Sequence, residues 1–238
     1  MLNLDRQNQW REYHRARHPH WQPATEQYAS LVRRSLPAEG LILDLGCGRG
    51  GLIEQLNLPL NRFIGLDPDW LSLAEHRLPL PRAVGWSHAL PFAPHSFQLI
   101  FASWVLEHLA TPQQDLTNIS RILAPGGQFI FITPNKAHPL LRFNQIVSRL
   151  GAWQTHLIDT LYGRQATDTF PAYYRANSPT QLHTLAQQTG LHLTHLDYIP
   201  DPTYLAFNAP LYHLSATFER ALPTHYHIHL VGVLTKPT

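Results

Sequence analysis

The middle of this chain, from residue 41 to residue 134, alternates short apolar runs with polar stretches of helical character. Each apolar run is short and bounded by turn residues, which indicates a buried strand. The signals of helix ends lie between these runs: Asp69 is suited to an N-terminus, and Pro112 stands in a predicted first turn. Strands that alternate with helices through short connections predict a doubly wound, mostly parallel α/β sheet. The predicted strands are residues 41–45, 61–67, 82–86, 97–103 and 128–134.

The chain departs from this alternation in two places. Residues 1–36 are polar and helical, and Pro19 and Pro23 divide them into two short helices. We expect them to form an N-terminal helical segment that precedes the main domain, residues 37–238. Residues 136–178 interrupt the alternation within that domain, and we expect an inserted helical cap there.

Strands and helices resume after the predicted cap. Ser178 and Gly190 mark the two ends of a helix that has proline at its first position. An alternating run at residues 191–199 predicts a strand, and an apolar run at residues 226–234 predicts the last strand. Because a long connection precedes the last strand, we expect it to run antiparallel to its neighbours.

Composition indicates a globular protein and argues against several function classes. The 238 residues are 44% apolar and 14% charged, so disorder is not expected. No apolar run approaches the ~20 residues that span a bilayer. The first ten residues lack the pattern of a secretory signal, so we expect a cytoplasmic protein. A net charge of +2 argues against a nucleic-acid partner. The single cysteine, Cys47, excludes an internal disulfide and a cysteine-based zinc site.

The stretch "LILDLGCGRG", residues 41–50, places an acid, Asp44, in an apolar strand and follows it with a loop that has few side chains. In a doubly wound sheet, ligands bind beyond the carboxyl ends of the strands, where this loop lies. Gly46 and Gly48 allow positive φ angles and a close approach of the backbone to a ligand. We expect a helix at residues 51–58 that begins in this loop, and we expect the loop amides to hold a carboxylate.

A second acid, Asp67, closes the second strand about 19 residues after Gly48, where a carboxylate can accept hydrogen bonds from ribose hydroxyls. The pattern Gly46-x-Gly48-x-x-Gly51 also matches the dinucleotide fingerprint, so NAD stays open as a ligand. Asp44 argues against NAD, because a carboxylate repels a diphosphate and attracts an ammonium group. A ligand that has a ribose, an ammonium group and a carboxylate, and no phosphate, is S-adenosyl-L-methionine.

Four segments, in this order, resemble the class I S-adenosylmethionine-dependent methyltransferases, and within them the small-molecule enzymes that include the ubiquinone-biosynthesis methyltransferases. The segments are "LDLGCGRG", "GLDPD", "ALPFAPHSFQLIFASWVLEHL" and "ISRILAPGGQFIFITPN". The resemblance implies a Rossmann-like sheet of seven strands with an antiparallel last strand. It also implies cofactor contacts at Asp44, Gly46, Cys47, Gly48, Asp67, Pro68, Ser87, His88, Ala102 and Ser103.

The chain differs from that family at the predicted adenine loop. Relatives usually have an aspartate where this chain has Trp86, whose indole can only donate a hydrogen bond. We therefore expect adenine to be held by stacking and by the backbone or hydroxyl of Ser87. Relatives also usually have an aspartate where this chain has Gln98, at the start of the fourth strand.

Methyl transfer from a sulfonium is an in-line displacement, to which positioning and water exclusion contribute much. An oxygen acceptor also needs a group that takes its proton, and histidine suits neutral pH. The candidate catalytic residues are His108, His138 and Tyr173. Each has a structural alternative: His108 orients the next helix, His138 is a loop histidine, and Tyr173 packs the cap onto the core. We predict no metal site, because no further acid accompanies Glu107 and His108.

The leading interpretation is an S-adenosylmethionine-dependent methyltransferase that methylates a small, partly hydrophobic acceptor at oxygen. We expect a small-molecule partner, no nucleic acid and no stable membrane insertion, while the acceptor's identity and the oligomeric state stay open. The first alternative, which Trp86 motivates, is a module that binds the cofactor without turnover. An NAD-dependent oxidoreductase is less favoured, because neither Lys136 nor Lys236 forms a Tyr-x-x-x-Lys pair.

Overall fold

The computed structural model describes residues 4–56, 58–148 and 170–238. Within these ranges the chain forms one sheet of seven strands in the order β3-β2-β1-β4-β5-β7-β6. The strands are β1 (Leu41–Leu45), β2 (Phe63–Asp67), β3 (Arg82–Val84), β4 (Phe97–Ser103), β5 (Leu123–Pro134), β6 (His192–Ile199) and β7 (His229–Thr235).

The strand directions confirm the predicted doubly wound sheet. Strands β1 to β5 pair in parallel, and β7 is antiparallel to both β5 and β6. The winding runs outward in opposite directions from β1 and β4, so the topological switch point lies between these two strands. A ligand crevice is expected above their carboxyl ends. The loops after β1, β2, β3 and β4 all meet at this edge, which brings the predicted cofactor residues together.

Helices cover both faces of the sheet. They are α1 (Leu4–Arg17), α2 (Ala24–Arg34), α3 (Trp70–Ala74), α4 (Pro112–Ile122), α5 (Pro139–Ser148), α6 (Pro179–Gln188) and α7 (Ala209–Ala221). On one face the core contains Leu116 and Ile119 of α4 with Leu182 of α6. On the other face Tyr28 and Val32 of α2 pack against buried side chains of the central strands. Because both faces are covered, the strands are nearly continuous apolar runs.

The helix ends confirm the sequence signals. The Asp69 carboxylate accepts hydrogen bonds from the backbone N–H groups of Leu71 and Ser72 at the start of α3. The Ser178 hydroxyl accepts one from the Gln181 N–H at the start of α6. Gly190, just after α6, has φ = +69°, a conformation that side chains disfavour.

The segment after the glycine loop differs from its prediction. In place of a helix over residues 51–58, the chain makes one 3₁₀ turn, Leu52–Gln55. Gly50 and Gly51 favour extended or left-handed backbone at its start, and Pro59 follows within one turn, so too few residues remain for an α-helix. The last strand also begins later than predicted, at His229, because Thr224–Tyr226 form a 3₁₀ turn.

The N-terminal helices are anchored to the segment that connects β6 to α7. Arg11 of α1 forms an ion pair with the buried carboxylate of Asp201 at 2.8 Å. Trp10 stacks on Tyr212 of α7 with ring centroids 4.8 Å apart. The Trp21 indole donates a hydrogen bond to the Pro200 carbonyl at 2.8 Å. These contacts fix α1 and the segment before α2 to the part of the chain that follows β6.

Two predictions on domain organisation remain predictions. The boundary at residue 37 is one, and the cap insertion at residues 136–178 is the other. Helix α5 lies within the predicted cap, whereas residues 149–169 lie outside the described part of the chain. Among the helices of residues 4–56, 58–148 and 170–238, none combines the length and the apolar content that crossing a bilayer requires.

Candidate functional site

The glycine loop is tied to the end of β2 by hydrogen bonds. The Gly48 N–H donates to Oδ2 of Asp67 at 2.8 Å, and the Gly46 N–H donates to the Leu66 carbonyl at 2.7 Å. Oδ1 of Asp67 accepts from the Asp69 N–H at 2.9 Å. A carboxylate has about four lone-pair sites, so each oxygen retains one for a ligand. This arrangement fits a pair of ribose hydroxyls at Asp67.

The sequence predicts that the backbone N–H groups of the glycine loop face a ligand carboxylate. The structure differs, because these N–H groups point into the protein. The N–H groups of Gly46 and Cys47 donate to the Leu66 carbonyl, and that of Gly48 donates to Asp67. These three amides are therefore engaged within the protein and do not point at a ligand carboxylate. The loop still leaves room for one: a Cβ atom added at Gly48 would have no heavy atom within 4 Å.

Asp44 lies in β1 directly below the loop and is buried. Burial raises its pKa to about 7, and the neighbouring carboxylate of Asp67 adds to this effect. Two carboxylates at one strand edge make the site strongly attractive to a cation and unfavourable for a diphosphate. An ammonium group is the electrostatic complement of such a site.

Tyr28 of α2 is a site residue that sequence analysis did not identify. Its ring is 3% exposed, and its hydroxyl has no hydrogen-bond partner in the described part of the chain. Burial and the charge of Asp44 raise the pKa of this hydroxyl well above its usual value. A buried hydroxyl without a partner costs free energy unless a ligand satisfies it. Tyr28 shares the apolar face of α2 with Ala24 and Val32, so from sequence it reads as a core residue.

A cavity of about 660 Å³ opens beside Tyr28, between α2 and the 3₁₀ turn that follows the glycine loop. Its volume falls within the range of small-molecule sites. Because the predicted helix after the loop is reduced to one turn, the groove beside α2 is not filled. The cavity joins the loop to the end of β4, and it is lined by Gln22, Thr25, Glu26, Tyr28, Ala29, Ser30, Arg33, Gly51, Leu52, Gln55 and Ser103.

The loops after β2 and β3 form the other end of the crevice. Pro68 follows Asp67 and is half-buried, whereas His88 is exposed. Ser87 is half-buried, and its hydroxyl donates a hydrogen bond to Oδ1 of Asp115 at 2.6 Å. Trp86 is exposed and stacks near His88, with ring centroids 6.0 Å apart. This end of the crevice thus offers flat ring surfaces and one serine hydroxyl.

Two other predicted cofactor residues lie below the crevice. The side chain of Ala102 is fully buried in the core, so only its backbone is available for a ligand. Cys47 is also buried, and its sulfur lies where a side chain at Gly65 would be. Burial raises the pKa of the Cys47 thiol, which disfavours a thiolate nucleophile. Cys47 is thus a small side chain packed beneath the loop.

His108 and Tyr173 lie together at one rim of the site. The backbone N–H groups of Tyr173 and Tyr174 donate to the Glu107 carbonyl. Nδ1 of His108 lies 3.1 Å from the Pro171 carbonyl, which can only accept, so Nδ1 carries the proton. In the neutral ring, Nε2 then has a free lone pair. The ring of Phe170 lies against His108 at 6.2 Å, and the Tyr173 ring is 43% exposed.

His138 lies apart from this rim. It is buried, and its Nδ1 accepts a hydrogen bond from the Leu140 N–H at 3.2 Å. Its Nε2 donates to Oε1 of Glu219 in α7 at 2.8 Å. Both ring nitrogens are therefore engaged, and the contacts join the loop after β5 to α7. A catalytic role for His138 stays a prediction. The geometry does not favour it, because both ring nitrogens are bonded within the protein.

The residues at the strand edge fit S-adenosylmethionine by their chemistry. Asp67 has lone pairs for two hydroxyls, and Asp44 is a buried acid whose pKa is raised by burial and by Asp67. Among the described residues, the Tyr28 hydroxyl has no hydrogen-bond partner. Across residues 4–56, 58–148 and 170–238, no three His, Cys, Asp or Glu side chains are arranged to hold a metal ion.

Comparison with known proteins agrees with this fit. A family profile described as "Methyltransferase domain" matches residues 43–131. Trans-aconitate 2-methyltransferase of an Acidovorax species is 32% identical over 180 residues, which cover 70% of this chain and 66% of that protein, just under two thirds of its length. Demethylmenaquinone methyltransferase of Lactiplantibacillus plantarum is 28% identical over 199 residues, which cover 75% of this chain and 79% of that protein.

A solved structure shows the same fold. Geranyl diphosphate C-methyltransferase from Streptomyces coelicolor, in complex with S-adenosyl-L-homocysteine, superposes with a TM-score of 0.59 at 13% identity. The match covers 89% of this chain and 77% of that one. The matched profile spans β1 to β5 and includes the glycine loop, Asp67 and the end of β4, which are the elements that form the site. By the matched profile and the relatives' names, this chain carries a methyltransferase domain of the S-adenosylmethionine-dependent class, for which S-adenosyl-L-methionine is the methyl donor.

Proposed function

We propose that this chain transfers the methyl group of S-adenosylmethionine to an oxygen atom of a small, partly hydrophobic acceptor. The observation that carries the proposal is the rim at which His108 stands beside the ring of Phe170, while the backbone of the exposed Tyr173 is bonded to the neighbouring Glu107 carbonyl. This rim follows β4, at the same sheet edge as the two buried carboxylates. It offers apolar ring faces for an acceptor and one imidazole nitrogen for its proton.

The proposed cofactor contacts follow from the unused hydrogen-bonding capacity of each residue. Asp67 accepts from the two ribose hydroxyls, and Asp44 holds the ammonium group. The Tyr28 hydroxyl contacts the methionine end of the cofactor, which the cavity beside α2 accommodates. The adenine ring lies against Pro68 and His88. Gly46, Cys47, Gly48, Ala102 and Ser103 contribute backbone and small side chains that let the cofactor approach the strand ends.

When bound, S-adenosylmethionine supplies an electrophilic methyl group on a sulfonium. The chain's own residues then position the acceptor and exclude water. The rings of Phe170 and Tyr173 hold the acceptor's apolar part at the rim. Nε2 of His108 would take the proton that the acceptor hydroxyl loses as its oxygen bonds to the methyl carbon, while the carbon–sulfur bond breaks and the sulfur leaves as a neutral thioether. The hydrogen bond between His108 and the Pro171 carbonyl keeps the ring in the tautomer that this step requires.

The acceptor class is inferred from the rim. The relatives' names include a carboxylate acceptor, trans-aconitate, and a quinone-type acceptor, demethylmenaquinone. The guanidinium of Arg175 next to the rim donates to the Ala110 carbonyl at 2.6 Å, so it is partly engaged within the protein. The rim offers aromatic ring faces, and its neighbouring cation, Arg175, is already partly bonded to the protein. These features favour a flat, mainly apolar acceptor over a polycarboxylate. We further propose a cytoplasmic location. We also propose that the chain has no nucleic-acid partner, because its net charge of +2 is small.

Calorimetry and a methylation assay test the proposal. S-adenosylmethionine and S-adenosylhomocysteine should each bind to the purified protein, and radiolabelled methyl should pass to phenolic and carboxylic acceptors from a panel. Mass spectrometry of the product should place the methyl group on oxygen. Failure of both ligands to bind at submillimolar concentration, together with a fluorescence change on NADH addition, would instead support the oxidoreductase alternative.

A second candidate function is a module that binds the cofactor without turnover. Trp86 favours it, because an indole stands where an acceptor for the adenine amino group is expected. Cofactor binding without product, across an acceptor panel that includes hydroxyl, amine and carbon nucleophiles, is the outcome that this candidate predicts.

A further inference from the structure

Helix α4 holds the loop after β3 through its side chains. The amides of Gln114 and Asn118 both donate to the His88 carbonyl, at 3.2 and 2.9 Å. The guanidinium of Arg121 donates to the carbonyls of Leu90 and Phe92 at 2.9 and 2.7 Å. These four contacts end on backbone carbonyls, so they fix the loop's position without depending on its side chains.

Asp115 is the exception, because it contacts a side chain of the loop. Its carboxyl group is 2% exposed, and Oδ1 accepts the proton of the Ser87 hydroxyl at 2.6 Å. Oδ2 has no partner among the described residues, and burial raises the pKa of this carboxyl group. A carboxyl group that is protonated on Oδ2 still accepts at Oδ1. The Ser87 hydroxyl therefore donates to Oδ1 when the carboxyl group is ionised, and also when its proton lies on Oδ2.

This bond determines what Ser87 can do toward a ligand. A serine hydroxyl has one proton and two acceptor lone pairs. Since the proton is used on Asp115, the hydroxyl can only accept from a third group. The 6-position of adenine carries an amino group, which donates, whereas the 6-position of hypoxanthine carries an oxygen, which accepts. A hydroxyl held as an acceptor suits the first base and opposes the second.

We propose that Asp115 is a positioning residue that makes Ser87 an acceptor for the adenine amino group and so sets the selectivity for adenine. The inference rests on the proposed function, since it requires adenine to lie at the loop after β3. It gives this site an amino-group acceptor that does not come from position 86. The acceptor comes from Ser87, and the carboxyl group that orients it comes from Asp115, 28 residues later in the chain.

The test compares two ligands that differ at the base. S-adenosylhomocysteine and S-inosylhomocysteine are titrated by calorimetry into the wild-type protein and four variants. The wild type should prefer the adenine ligand by at least about tenfold, as expected for a hydrogen-bonding mismatch. Asp115→Leu frees the Ser87 hydroxyl to donate, so the preference should fall toward one, and Ser87→Ala should remove it as well. Asp115→Asn keeps an acceptor oxygen and should retain the preference.

Gln114→Ala is the matched control, because it weakens the anchoring of the same loop and leaves the Asp115–Ser87 bond intact. It should keep the wild-type ratio. An unchanged ratio in Asp115→Leu, with the ratio lost in Ser87→Ala, would overturn the part assigned to Asp115. Should the leucine variant not fold, Asp115→Ala repeats the comparison. No binding of either ligand to the wild type would instead contradict the proposed function, so the two failures are distinguishable.

Discussion

The Gly48 amide donates a hydrogen bond of 2.8 Å to Oδ2 of Asp67, and this bond joins the glycine loop to the carboxyl end of β2. One carboxylate thus shapes the loop and also faces the crevice. The remaining lone pairs of Asp67 and the space above Gly48 lie side by side, so a ligand that uses one must pass close to the other. The first prediction uses this relationship.

Gly48→Ala should weaken the binding of S-adenosylhomocysteine by tenfold or more, because the added methyl group enters the space proposed for the cofactor. Gly190→Ala is the matched control. Both glycines have positive φ, +49° and +69°, and a Cβ atom would meet nothing within 4 Å at either. Each substitution should destabilise the protein by about 1–2 kcal/mol through left-handed backbone strain. Calorimetry and thermal unfolding separate the two effects, and equal affinities in the two variants would contradict the site.

The affinity for S-adenosylhomocysteine should fall as the pH is lowered through 7. The pKa of Asp44 is raised to about 7 in the free protein, and an ammonium group binds only the ionised form. Below pH 7 the ligand must displace a proton, so affinity should fall by up to tenfold per pH unit. Asp44→Asn should bind weakly with a flat pH profile, and Asp197→Asn, an exposed site elsewhere, should keep the wild-type profile. A wild-type affinity that is constant from pH 8 to 5.5 would contradict this prediction.

The raised pKa of Asp44 also affects the stability of the free protein. The folded state raises the pKa of Asp44 above its ordinary value of 3.8, so the stability that is present in full below pH 3.8 is lost as the pH rises from 3.8 to about 7. Asp44→Asn should therefore raise the unfolding temperature at pH 8 while it abolishes tight binding. A gain in stability together with a loss of affinity is the pattern expected of a functional group that the fold tolerates at a cost.

Tyr28→Phe should weaken cofactor binding about tenfold, the effect of one hydrogen bond to a charged group. It should leave the unfolding temperature of the free protein unchanged or higher, because it removes a buried hydroxyl that has no hydrogen-bond partner within the described part of the chain. Tyr212→Phe removes a hydroxyl that lies 2.7 Å from Nδ1 of His14, so it should lower the unfolding temperature and leave affinity unchanged. A Tyr28→Phe variant that is less stable and binds normally would show that Tyr28 serves the core alone.

Kinetic and stability measurements on variants of His108, Tyr173 and His138 distinguish the roles of the three candidate catalytic residues. His108→Asn should lower kcat by about 10²- to 10⁴-fold, the usual contribution of a general base, with normal binding of S-adenosylhomocysteine. Tyr173→Phe should mainly raise KM for the acceptor. His138→Asn should instead lower the free energy of unfolding, by about 3–5 kcal/mol, because Glu219 stays buried without its partner. The result that would reverse these assignments is a stable His138→Asn protein that has lost kcat.

Acid should destabilise the protein partly through His229. Burial lowers the pKa of His229 to about 4, against an ordinary value of 6.5. The folded state therefore favours the neutral ring, and this contribution to stability is complete above pH 6.5 and lost as the pH falls toward 4. His229→Gln should show a smaller loss of unfolding free energy across that window than the wild type, measured by urea titration. Identical losses would exclude His229 as a source of acid sensitivity.

Local sequence signals predicted much of the fold. The bounds of β4 are those of its apolar run, and Asp69 and Ser178 cap the helices they were expected to cap. Such features depend on neighbouring residues, so a sequence pattern is enough to find them. The prediction of a helix after the glycine loop is wrong, because the single turn that fits between two glycines and a proline is too short for an α-helix.

The sequence by itself determined the succession of strands along the chain, the glycine loop, and the carboxylates of Asp44 in β1 and Asp67 at the end of β2. Only the tertiary structure decided which distant side chains complete the site. It brought Tyr28 beside Asp44, paired Ser87 with Asp115, and joined His138 to Glu219 across 81 residues of chain. The physical reason is that an aromatic or histidine side chain suits a core and a site equally well by pattern. Its role depends on which polar groups the fold places within hydrogen-bonding distance.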